Sequence, residues 1–103
     1  MERQYSHEDL HRLATDSAFC PRGWTAAEVT AFRLLDQCAR AARLDTDLRN
    51  TRALRIGPHP CGDPDRACAA LSPDRVLDLT FHGTDGHGAV SFDLKTAQRV
   101  ETT

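Results

Sequence analysis

Aromatic residues are scarce in this chain: one tryptophan, one tyrosine and four phenylalanines among 103 residues. Trp24 and Tyr5 are too few to build the stacking platform that grips single-stranded nucleic acid. Lysine is scarcer still, with Lys95 standing alone beside twelve arginines. A guanidinium keeps its proton near neutral pH, so the arginines can clamp an anion but cannot abstract a proton. There is no run of about 18 apolar residues, which excludes a membrane-spanning helix. Residues 1–10 lack the apolar stretch of an export signal, so a cytoplasmic protein is expected. The four cysteines contain no Cys-x-x-Cys pair, the spacing on which the usual zinc knuckles are built. Reduced thiols are expected rather than two disulfides.

What is present describes one soluble domain over residues 1–103. Hydrophobic residues make up 40% and charged residues 27%, values that allow one core and argue against disorder. The net charge of −2 is unevenly spread. Residues 31–55 carry Arg33, Arg40, Arg43, Arg49, Arg52 and Arg55 against Asp36, Asp45 and Asp47. A polyanion would be met here. The plainer reading is a solvated helix face with i,i+4 partners such as Asp36 and Arg40.

Periodicity divides the chain in two. Ser6 and Asp9 resemble a capping pair ahead of Leu10, Leu13 and Ala14, which predicts a helix over about His7 to Asp16. Pro21 and Gly23 interrupt it. Thr25 and Glu28 form a clearer capping box, and Val29, Phe32, Leu35, Cys38, Ala39 and Ala42 then make one apolar stripe, predicting a second helix that ends near Leu44. Trp24 sits where a staple residue would pack near Val29. Beyond Pro60 the period falls to two. Leu77, Leu79 and Phe81 alternate with Val76, Asp78, Thr80 and His82, and Val90, Phe92 and Leu94 alternate with Ser91, Asp93 and Lys95. Asp85-Gly86 between them favours a tight hairpin turn. A strand over about Arg66 to Leu71, ended by Ser72 and Pro73, joins them, with shorter extended pieces near Arg3 to Tyr5 and Arg52 to Ile56. The expected class is α+β: two N-terminal helices packed on a small antiparallel sheet.

This order resembles the RelE/ParE superfamily of bacterial toxins, and most of all its HigB-type branch. "DLHRLATDSAF" is similar to that branch's first helix and "VTAFRLLDQCARAARLDTDLRNTRALR" to its second helix and following turn. Gly62-Asp63 matches its turn into the central sheet, and "RVLDLTF" and "AVSFDLK" match its last strands. The resemblance covers roughly residues 6–95. It implies a toxin of a toxin–antitoxin pair that cleaves messenger RNA on the ribosome, needs no cofactor or metal, and is neutralised by a cognate antitoxin protein. In such cleavage the RNA 2′-hydroxyl attacks the adjacent phosphate while the protein supplies proton transfer and positive charge. Several positions depart from the family pattern. Cys61 replaces a basic residue, Pro64 stands where an arginine follows the Gly-Asp pair, Asp78 occupies the place of a strand arginine, and Asp93-Leu94-Lys95 replaces an Asp-Tyr-His tail. These departures raise the alternatives of a catalytically degenerate binding protein and of a ParE-like topoisomerase inhibitor.

On the catalytic reading His59, Arg66, Arg75, His82, His87 and Lys95 converge, with His59 or His82 exchanging protons and Arg66, Arg75 and Lys95 holding the phosphate. The arginines from Arg33 to Arg55 then contact RNA or the ribosome. The bland reading makes all of these exposed loop and strand-end residues. A zinc site from His59, Cys61, Cys68 and either His82 or His87 is a weaker alternative, and a Cys61 nucleophile with His59 as its base weaker again. Asp63 and Asp65 lack the downstream glutamate of a calcium loop and read as turn formers. Cys38 reads as a small buried hydrophobe.

Overall fold

A computed structural model describes residues 1–83 and 88–94. The expected Asp85-Gly86 turn, His87 and Lys95 lie outside these residues. In chain order the elements are β1 (Glu2–Tyr5), α1 (Glu8–Thr15), α2 (Ala26–Ala41), α3 (Asp45–Arg49), β2 (Ile56–Pro58), β3 (Arg66–Ser72), β4 (Arg75–His82) and β5 (Ala89–Leu94). None of the described helices is long and apolar enough to cross a membrane. The four cysteines form no disulfide.

The α2 capping box is realised in full: the Thr25 hydroxyl accepts the Glu28 N–H at 3.1 Å, and the Glu28 carboxylate accepts the Thr25 N–H at 2.9 Å. The stripe that follows buries Val29, Phe32, Leu35 and Ala39. Helix α2 stops three residues before the expected end because Ala42 turns extended, its N–H returning to the Cys38 and Ala39 carbonyls. Helix α1 begins as expected, but its cap is His7, whose ring accepts the Asp9 N–H at 3.2 Å. Ser6 does not cap it. Its hydroxyl instead donates to the Phe92 carbonyl at 3.0 Å, tying the chain to β5. Trp24 packs edge-on against Phe32, one turn past the expected Val29.

Five strands form one sheet in the order β1-β5-β4-β3-β2. Strands β2 to β5 make an antiparallel meander, but β1 runs parallel to β5, pairing Glu2 with Ala89 and Tyr5 with Phe92. The sheet is therefore mixed, which corrects the antiparallel expectation. The helices intervene between β1 and the meander, so β1 can enter beside the last strand in the same direction. The extended piece expected over Arg52 to Ile56 is displaced to Ile56–Pro58. Pro58 is tolerated there because β2 is an edge strand among the described residues.

Alternation within the strands separates two faces. Ala67, Ala69, Leu77, Leu79, Phe81, Val90 and Phe92 are buried against the helices. Ala67 and Ala69 are small and let α2 approach β3 closely. Phe32 and Phe92 meet edge-on at the centre, their centroids 5.7 Å apart, and truncation of either would cost about 3–5 kcal/mol. The other face carries none of the described helices and displays Gln4, Ser91, Thr80, Asp78, Cys68 and Arg66. At the β4–β5 end, Gly83 has φ +66° and a side chain at Gly88 would meet the Gly83 carbonyl oxygen at 1.9 Å. Only glycine fits this close approach.

Candidate functional site

The proline-rich connection from β2 to β3 is folded by its own side chains. The His59 carbonyl accepts the Gly62 N–H at 2.9 Å, and the His59 ring Nδ1 accepts the Cys61 N–H at 3.1 Å. The Asp63 carboxylate accepts the Asp65 N–H at 2.9 Å, as expected of a turn former. Gly62 supplies the positive φ of +80° between them. This turn aims His59 across the helix-free face of the sheet.

Strand register brings the rest. Cys68 pairs with Asp78 and Arg66 with Thr80, and all four face away from the helices because their neighbours Ala67, Leu77 and Leu79 face inward. His59 Nε2 lies 3.3 Å from Asp78 Oδ1, and the Cys68 thiol donates to the same oxygen at 3.7 Å. Arg66 approaches the other oxygen, Oδ2, at 3.9 Å. His59 and Asp78 are largely withdrawn from water, with side chains 11% and 18% exposed. Yet His59 Nε2 has no hydrogen bond of good geometry. It faces the carboxylate without donating well to it. His59 Nε2, Cys68 Sγ and an Asp78 oxygen all lie within 4.8 Å of one another, a set able to hold a metal ion.

Of the six residues expected to converge, the structure brings two together, His59 and Arg66. His82 shares their face but lies four residues beyond Asp78, about 13 Å along the strand. Its Nε2 is bound to the Ser91 hydroxyl at 2.8 Å, and that hydroxyl reaches Gln4 at 3.1 Å. Arg75 lies on the helix side of the sheet. It forms an ion pair with Glu28 at 3.2 Å, donates to the Gly23 carbonyl at 2.9 Å and stacks over Trp24. His87 and Lys95 fall outside the described residues.

The arginines of residues 31–55 divide by task. Arg33 donates to the Leu13, Asp16 and Phe19 carbonyls, closing the end of α1. Arg49 lies over the Phe81 ring and donates to the Pro64 carbonyl. Arg40 stands 3.9 Å from Asp36, but the stronger partners of that buried carboxylate are Arg3 at 3.0 Å and the Tyr5 hydroxyl, which donates to it. Arg43, Arg52 and Arg55 are exposed. A surface recess of about 550 Å³ is lined by Arg3, Tyr5, His7, His11 and Arg40. It lies apart from the His59 cluster and holds none of the six expected catalytic residues.

Two ionisable groups under the helices are strongly shifted. Glu28 is held at about 2, first by the Ser72 hydroxyl and then by the Thr25 N–H, with Arg75 adding to both. The Tyr5 hydroxyl is pushed well above its usual range, first by burial and then by its bond to Asp36. In the sequence Asp78 reads as one polar position of an alternating strand and, in the resemblance, as the replacement of a strand arginine, not as a site residue. The signal that finds it is its register opposite Cys68. No family model, no curated protein and no solved structure matches the chain.

Proposed function

We propose that the protein is a toxin-type domain of the RelE/ParE kind that acts by binding its target rather than by cutting RNA, and that it is held in check by a small antitoxin. The order of elements supports the toxin part, since helices precede a β-meander and cover one face of it. One observation carries the choice of binding over cleavage: the residues suited to proton exchange face groups of the protein itself. The His59 ring is occupied by the Cys61 N–H on one nitrogen and faces Asp78 with the other. His82 is bound to Ser91, and Arg75 is paired with Glu28 on the far side of the sheet. A general base must reach the proton it abstracts, and neither His59 nor His82 stands beside both Arg66 and Arg75.

The cleaving reading is favoured by a different observation, that His59 and Arg66 share the helix-free face around Asp78. In that reading His59 takes the 2′-hydroxyl proton, Arg66 holds the phosphate, and exposed Arg43, Arg52 and Arg55 meet ribosomal RNA. Primer extension on a reporter messenger RNA, with and without programmed ribosomes, separates the two. Expression of the protein is expected to slow growth, and the purified folded protein to leave the message intact. Ribosome-dependent cuts that vanish in His59→Ala would overturn the binding reading. A DNA supercoiling assay then tests the topoisomerase branch of it.

A further inference from the structure

We infer that His59, Cys68 and Asp78 form a binding site for one divalent, borderline-soft cation, zinc above all. The inference is independent of what the domain acts on. The three side chains come from different elements, the turn after β2, strand β3 and strand β4, and meet on the helix-free face. Their donor types are those zinc takes: an imidazole nitrogen, a thiolate sulfur and a carboxylate oxygen.

Two of the three separations agree with a tetrahedral ion. Zinc bonds of usual length place neighbouring nitrogen and oxygen ligands about 3.4 Å apart, and sulfur and oxygen ligands about 3.6 Å apart. The observed separations are 3.3 Å for His59 Nε2 to Asp78 Oδ1 and 3.7 Å for Cys68 Sγ to the same oxygen. The third pair, His59 and Cys68, lies within 4.8 Å. A second observation points the same way. His59 Nε2 is withdrawn from water, faces both partners and lacks a hydrogen bond. That is costly for a polar atom unless something occupies the point it faces.

Two features of the surroundings bear on binding. Arg66 sits by Oδ2, leaving Oδ1 to the ion while steadying the carboxylate. A metal on Nε2 places the ring proton on Nδ1, which ends its acceptance of the Cys61 N–H. Cys61 is exposed, so water can take that donor over. The thiol proton of Cys68 leaves to solvent as the ion binds. The fourth coordination position falls to water.

The test uses the full chain, stripped with a chelator and titrated with zinc chloride and, separately, cobalt chloride. The expected result is about one equivalent bound, with cobalt giving the intense visible bands of a tetrahedral site and a thiolate charge-transfer band. Cys68→Ser should abolish the charge-transfer band. His59→Gln and Asp78→Asn should each weaken zinc binding more than about a hundredfold, since loss of outer-shell partners alone costs up to that much. Cys20→Ser, remote from the cluster, should bind as the unaltered chain does. Far-ultraviolet circular dichroism of the metal-free variants checks that each is folded, and His59, on a surface turn, remains testable if a strand variant is not. Zinc binding well below one equivalent, or a charge-transfer band that survives Cys68→Ser, would overturn the site.

Discussion

Glu28 and Asp78 are carboxylates on opposite sides of the same sheet, and their surroundings differ in kind. Glu28 is 4% exposed and holds two short hydrogen bonds, from the Ser72 hydroxyl at 2.6 Å and the Thr25 N–H at 2.9 Å, with Arg75 as an ion pair at 3.2 Å. It joins the start of α2 to the turn between β3 and β4. Asp78 has three neighbours as well, but at 3.3, 3.7 and 3.9 Å, and none makes a short hydrogen bond with it. A buried charge is tolerated only when its bonds are complete. The Glu28 arrangement is therefore architecture. The Asp78 arrangement has the spacing of ligands around a point.

The largest effect that would break this comparison lies at Glu28. Glu28→Ala leaves Arg75 without its anion and α2 without its capping return, so a loss of about 3–5 kcal/mol is expected in urea unfolding. The ordinary carboxyl value of 4.5 falls to about 2 in the folded chain. Stability from this group is therefore complete above pH 4.5 and is lost as pH falls toward 2, by about 3 kcal/mol in all. Glu28→Gln should remove most of that acid slope. An unchanged slope would mean that other carboxylates govern acid unfolding. Tyr5→Phe comes next, because it strips one bond from the buried Asp36 while leaving Arg3 in place. A loss of about 1–3 kcal/mol is expected. The raised Tyr5 value keeps the phenol neutral in the fold, so its contribution is present below the ordinary 10.0 and is lost as pH rises beyond it. In metal-free protein Asp78→Asn should cost about 1 kcal/mol or less, since its ion pairs are long and Arg66 is partly exposed. A loss as large as that at Glu28 would show the open-face cluster to be structural after all.

Much of this contrast is legible in the residues. The Thr25–Glu28 box and the alternation through β3, β4 and β5 are local patterns, and the structure realises them within a few residues. Strand parity also places Arg75 with Leu77 and Leu79, on the side the helices cover, and separates it from Asp78 and His82. That signal argues against its joining His59. The pairing of β1 with β5 was not legible, because it joins the two ends of the described chain and depends on how the layers close. Helix α3 escaped notice because five residues carry too little periodicity to stand out. Ser6 misled for a similar reason. A hydroxyl three residues before an acid fits a cap, but Phe92 and Asp93 lie close enough in the fold to bind it instead. Two of the three metal ligands, His59 and Cys68, stand among the sequence candidates. Asp78 joined them only once the register was known.

The smallest expected effect concerns α3 and asks whether an exposed carboxylate can matter locally without mattering globally. Asp47 accepts the backbone N–H groups of Arg43 at 3.1 Å and Leu44 at 3.0 Å, closing the start of the helix, and these bonds lower its pKa. Leu48, fully buried, anchors the same helix from below. Removing the carboxylate in Asp47→Ala should free the first turn while Leu48 holds the rest in place. Hydrogen exchange would then show faster opening of amides in residues 45–50, with the urea midpoint of the whole domain unmoved. Acid should do the same to the unaltered chain as Asp47 is protonated, because a lowered pKa makes its contribution present above the ordinary carboxyl range and lost below it. The variant should lack that acid step. A fall in the global midpoint comparable to that of Glu28→Ala would mean that α3 is part of the cooperative core, and that exposure on this side of the molecule does not separate local from global stability.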